Sequence, residues 1–212
     1  ILERPAGSKT CRVSQGLVEH PLRAWDRGQS LATTAGGVAW FARAEGARKD
    51  PFDTPELALT VSTLGTDGTF GASGLPTPGV RTGPVALAPR GEGLALVFLD
   101  AGKLRFAGLD ATGKVSLAPG AGLAAADAQS RLALAAGANG FGVVFTVASG
   151  ETQSVRFLGL DADGVPRGAA RTLLEEKGWS APAVSLAAAA DGYAVLYTAT
   201  GTTKGVLFTS VD

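Results

Sequence analysis

His20 is the only histidine and Cys11 the only cysteine in the 212-residue chain, so a Ser-His-Asp, Cys-His or zinc device has to be built around those two positions. A Ser-His-Asp or Cys-His arrangement needs an imidazole held against its nucleophile by a third group. His20 precedes Pro21 in a stretch that reads as surface loop, and an exposed loop residue is the better account. Structural zinc takes four nitrogen or sulfur ligands, a set that one His and one Cys leave unfilled. Glu175 and Glu176 are adjacent, whereas glycoside chemistry needs two acids facing each other across the scissile bond; they read as solvated side chains. Asp110 before Gly113, and Asp161 with Asp163 before Gly164, invite a calcium reading. The corresponding stretch 65–68 carries only Asp67, and no distal carboxylate completes a ligand set, so turns stabilised by Asp side chains are the better account. No catalytic residue, metal site or cofactor is therefore expected.

Residues suited to binding are more evident. Trp25, Asp26 and Arg27 stand together, as do Arg48, Asp50 and Phe52, and Lys177 lies two residues from Trp179. Loop tryptophans beside Arg and Asp offer a stacking platform for a sugar or an anchor for a protein partner. The plainer alternative is that Trp25 and Trp179 fill gaps between structural repeats. Trp40, within an apolar run, is expected in the core. Arg43, Arg48 and Lys49 are interleaved with Glu45, Asp50, Asp53 and Glu56, a mixed-charge loop and not a nucleic-acid site. The glycines at 71 and 74 do not follow a strand and open a helix as a phosphate loop would.

The whole chain agrees. Nineteen basic and nineteen acidic residues cancel, which removes the field that nucleic-acid binding requires. No window of eighteen apolar residues exists, so no membrane span is expected. Thirty glycines signal many tight turns. Absence of Met and a start at Ile1 suggest excision from a longer product, and Cys11 has no internal disulfide partner.

A repeat supplies the elements that position these residues. Phe106, Phe157 and Phe208 stand 51 residues apart in matching runs 104–110, 155–161 and 206–212, with a looser copy at 59–65. Upstream of each lies an apolar run ending in an aromatic, at Phe41, Phe98, Phe145 and Tyr197, and before that a run of small residues at 30–33, 85–88, 132–135 and 184–187. These runs are short and Gly-bounded, which reads as strand. Turn chemistry at 36–37, 90–93, 137–140 and 191–192 makes consecutive strands antiparallel.

Four antiparallel strands at a period near fifty residues describe one propeller blade, and the chain resembles the broad superfamily of bacterial β-propeller repeats, without a subfamily signature. The resemblance implies an all-β fold: one domain over 1–212, a four-bladed β-propeller of four-stranded antiparallel blades. Blade 1 covers about 29–78, blade 2 about 84–122, blade 3 about 131–175 and blade 4 about 183–212, with residues of about 10–18 serving as the outer strand of blade 4 and closing the ring. A larger ring, or two chains pairing into eight blades, is the rival arrangement. Links from the second to the third strand, and from blade to blade, are expected to be long and to share one face. That face, with Trp25, Arg48, Trp179 and their neighbours, is the expected site of a non-enzymatic binding module, exported to the periplasm, cell surface or medium, taking a protein or carbohydrate ligand. The alternatives are a glycan hydrolase at the ring axis and an assembly subunit; oligomeric state stays open.

Overall fold

Short runs of Val, Leu, Phe and Ala that alternate around one buried face satisfy their backbone only by pairing with neighbours, and the computed structural model pairs them throughout. It describes residues 2–3, 12–13, 27–34, 39–45, 58–64, 67, 69–74, 84–127, 130–178, 182–199 and 205–211. No helix occurs among these residues, and none is long and apolar enough to cross a membrane.

A two-stranded sheet pairs β1 (Leu2–Glu3) with β2 (Arg12–Val13). The first large sheet runs in chain order through β3 (Arg27–Thr33), β4 (Ala39–Glu45), β5 (Ala58–Leu64) and β6 (Phe70–Gly74). The second comprises β7 (Val85–Arg90), β8 (Gly93–Asp100), β9 (Lys103–Leu109) and β10 (Val115–Leu117), with β11 (Ala124–Ala125) also on β9. The third is β12 (Leu132–Gly137), β13 (Gly140–Ser149), β14 (Thr152–Leu160) and β15 (Arg171–Lys177); the fourth is β16 (Val184–Ala189), β17 (Gly192–Ala199) and β18 (Gly205–Val211). Every pairing is antiparallel, as expected of up-and-down neighbours joined by tight turns.

The sheets stack face to face, and the core lies in the layers between them. Leu59 and Val61 meet Leu87, Leu94, Leu96 and Leu109 between the first and second sheets. Val97, Leu104 and Phe106 meet Leu134, Val143 and Leu160 between the second and third. Val144, Val155 and Phe157 meet Val195, Tyr197 and Val211 between the third and fourth. Because strand residues alternate between faces, each internal sheet gives one set of side chains to the sheet before it and the other to the sheet after it. Each such side chain, fully buried, contributes about 1.5–3 kcal/mol. The small-residue strands lie side by side: β3 beside β7, β7 beside β12, β12 beside β16. Alanine and serine permit that approach, and Ser30 Oγ accepts the Leu87 N–H at 3.0 Å.

Three expectations are refined. Arg12–Val13 pairs with Leu2–Glu3, β18 has only β17 as partner among the described residues, and no contact comparable to the other three joins β16 to β3, so no closed ring is seen. In the first sheet the ladder sets Phe41 opposite Ser62, the place taken by Leu96 opposite Ala107; the aromatic ends of the first and second copies are therefore offset by two residues. Two of the links expected to be long are two-residue turns, at 101–102 and 150–151. Ala101 (φ 47°) and Gly102 (φ 75°) both take the left-handed conformation that matches strand twist in such hairpins.

Candidate functional site

Two ends of the stacked sheets compete for a functional role. The end expected to bind carries Lys177, exposed at the close of β15, where the adjacent Gly178 N–H donates to the Glu151 carbonyl at 2.9 Å. Arg27 opens β3 with its Cα opposite Ala44. Trp25, Asp26, Arg48, Asp50, Phe52 and Trp179, with His20 and Cys11, lie outside the described residues, so the structure brings none of the expected set together. Glu175 and Glu176 alternate along β15 and point to opposite faces, which rules them out as a facing pair.

At this same end the chain is clamped where it starts a new sheet. Thr146 Oγ1 accepts the Arg131 N–H at 2.7 Å while the Thr146 N–H donates to the Arg131 carbonyl at 3.0 Å. Fifty-two residues on, Thr198 and Ala183 repeat the arrangement at 2.9 and 3.0 Å. The link after β10 folds back on its own sheet: Leu123 N–H donates to the Leu104 carbonyl at 2.7 Å, and Arg105 Nη1 donates to the Gly120 carbonyl at 2.7 Å. Arg105 Nε also lies 2.6 Å from Asp100 Oδ2, an ion pair whose N–H is not aimed for a hydrogen bond. The clamping Thr recurs at a single interval, and the equivalent position of β8 is Leu99, so the repeat does not single it out.

The opposite end holds the tight turns. Asp110 Oδ1 accepts from Thr112 N–H (2.8 Å), Thr112 Oγ1 (2.7 Å) and Lys114 N–H (3.0 Å), and Asp161 Oδ1 accepts from the Asp163 and Val165 N–H groups. The Thr112 hydroxyl, then the Lys114 N–H, hold the Asp110 carboxyl below its ordinary range; Thr69 does the same for Asp67. These carboxylates are thus occupied in turns, and no metal-ligating group of three side chains occurs among the described residues. Arg90, at the end of β7, ties the second sheet to the third: its Nε donates to the Ala162 carbonyl at 3.3 Å and its Nη2 lies 3.6 Å from Asp163.

A cleft of about 150 Å³ opens at this end between the third and fourth sheets. It exists because β15 leaves the ladder early. Phe157 faces Arg171, Leu160 bridges Pro166, and residues 168–170 swing away between them. Phe157 and Tyr193 form one wall, ring centroids 5.5 Å apart at 48°. Arg167 and Arg171 also line the cleft, and the Arg167 guanidinium donates to the Asn139 carbonyl. Burial raises the Tyr193 phenol above its ordinary value, opposed by the Arg167 charge and by the Gly137 N–H that the phenol oxygen accepts. Only glycine fits below the ring: a Cβ on Gly137 would sit 2.6 Å from the hydroxyl, and one on Gly142 2.8 Å from the ring. The sequence carries no local signal for this cleft, because a bulge three residues long brings Arg167 to a tyrosine of the next sheet. No known protein-family model matches this chain, and no curated protein is significantly similar to it.

Proposed function

We propose that the four sheets are blades of a β-propeller and that the chain is a non-enzymatic binding or protein-interaction module, exported or surface-associated, whose ligand surface is the end carrying the links between sheets. The observation that carries this reading is that the opposite end is spent on itself. Arg90 crosses from the second sheet to the third, Arg167 caps the turn at 138–139, and Tyr193 reaches Gly137, so these three polar side chains already have partners. Side-by-side packing of β3, β7, β12 and β16 supports the blade assignment. Closure of four blades by residues 10–18 gains no support from the pairing of Arg12–Val13 with Leu2–Glu3.

Protein and carbohydrate are the ligand classes that tryptophan, arginine and aspartate on rigidly held loops suit. A hydrolase working at the axis needs converging acids there, and β3, β7, β12 and β16 carry none. A glycan array with a pull-down identifies the ligand; Trp25→Ala and Trp179→Ala then abolish its binding with the melting temperature unchanged. Loss of stability in both variants would assign the tryptophans to packing and remove the proposed surface.

A further inference from the structure

The two end sheets expose what every internal sheet buries. Register places Phe106, Phe157 and Phe208 at one repeat position, opposite Val97, Val144 and Leu196 respectively. Phe106 and Phe157 are 3% and 2% exposed, each covered by the following sheet, where Phe106 meets Phe141 at 5.1 Å. Phe208 is 70% exposed. Val206, equivalent to the buried Leu104 and Val155, and Leu196, equivalent to the buried Val97 and Val144, are exposed with it. Ser185, Ala187, Ala194 and Ser210 complete that face without a charge.

The first sheet mirrors this on its opposite side. Leu31, opposite Phe41, is the repeat equivalent of Leu87, Leu134 and Leu186, which point at the preceding sheet. Leu31 is 68% exposed where Leu87 is 5%. Leu64 is likewise exposed where its equivalents Leu109, Leu160 and Val211 are buried. One end of the stack thus presents the surface that each sheet offers forward, and the other presents the surface that each sheet receives. Both are continuous with the three interfaces already formed inside the chain.

We propose that the open face of the fourth sheet packs against the open face of the first sheet of a second copy of this chain, so that two chains close one ring of eight sheets. The inference rests on the blade assignment of the four sheets. A second copy is the occupant because Leu31 and Leu64 on one face, and Leu196, Val206 and Phe208 on the other, stand at the repeat positions that form the internal interfaces, and because within one chain β16 makes no contact with β3 comparable to the three internal ones among the described residues. Complementary, non-identical faces associate head to tail, and two such contacts related by a twofold axis close the ring and leave neither face open.

Light scattering on the size-exclusion peak of the 212-residue chain tests it. The expected mass is twice 21.3 kDa. Phe208→Glu and Leu31→Glu each halve that mass while the far-ultraviolet strand signal is kept. Mixing the two variants restores a dimer, since the intact fourth sheet of one chain meets the intact first sheet of the other. A wild-type monomer at every concentration, with both variants only less heat-stable, would show that the faces meet within one chain and overturn the proposal. A concentration-dependent ladder of larger species would overturn the closed ring of two. Ligand binding by the Trp25 and Trp179 surface is a separate readout, so a dimer without ligand, or ligand binding by a monomer, tells which of the two readings has failed.

Discussion

Phe106, Phe157 and Phe208 share a residue type and a repeat position, so alanine at each isolates the effect of what lies opposite. Phe106 and Phe157 are closed off by the next sheet, and truncating a buried Phe to Ala costs about 3–5 kcal/mol in lost transfer energy and cavity formation. Each also loses a tilted ring pair, at 5.1 Å with Phe141 and 5.5 Å with Tyr193, which adds roughly 0.5–1.5 kcal/mol. Phe208 faces solvent in the single chain, where a substitution changes stability by about 0.5 kcal/mol or less. Under conditions dilute enough to keep the chain monomeric, and at roughly 2–4 °C per kcal/mol for a chain of this size, the first two variants melt about 7–26 °C lower and the third within about 2 °C of wild type. Urea unfolding at concentrations dilute enough to keep the chain monomeric gives the same ranking through its midpoints. Equal losses at all three positions in the monomeric chain would refute the reasoning, because they would mean that Phe208 is covered within the chain.

Other consequences concern the turn end. Gly137→Ala sets a Cβ against the Tyr193 hydroxyl and costs about 1–3 kcal/mol in thermal unfolding, most of it recovered in a Tyr193→Ala background; an undiminished loss there would locate the strain elsewhere. Burial raises the Tyr193 pKa, so the folded state favours the neutral phenol. That stability is complete below the ordinary value of 10.0 and declines as pH rises from there through the folded value; alkaline unfolding of Tyr193→Phe lacks this decline, and an identical profile in the two proteins contradicts the assignment. Asp110 has the opposite sign: its depressed carboxyl stabilises the fold above 3.8 and loses that contribution as pH falls through the folded value. An NMR titration of its side chain with a midpoint at or above 3.8 would exclude the turn bonds to Thr112 and Lys114.

Much of the architecture was legible because it is local and repeated. The 51-residue spacing of Phe106, Phe157 and Phe208 located β9, β14 and β18, and Gly-bounded apolar runs located β8, β13 and β17. The Asp turns were read correctly, since one carboxylate and the next few N–H groups suffice to make them. Turns at 101–102 and 150–151 were overlooked as long links although Gly102 and Gly150 marked them. The register of the first sheet was missed for a different reason: an aromatic at the end of a run suggests an alignment, but the ladder of backbone hydrogen bonds decides it. The cleft at Tyr193 needed a bulge and a neighbouring sheet, neither of which has a signature in the run that carries it.

What this sequence determines by itself is strand, turn and period, because alternation, glycine placement and short-range hydrogen bonding act within a few residues. Which faces are covered was decided only by the tertiary structure. Three phenylalanines at one repeat position end as two core residues and one solvent-facing residue, since burial depends on whether another sheet follows, and that is a property of the stack and not of the strand.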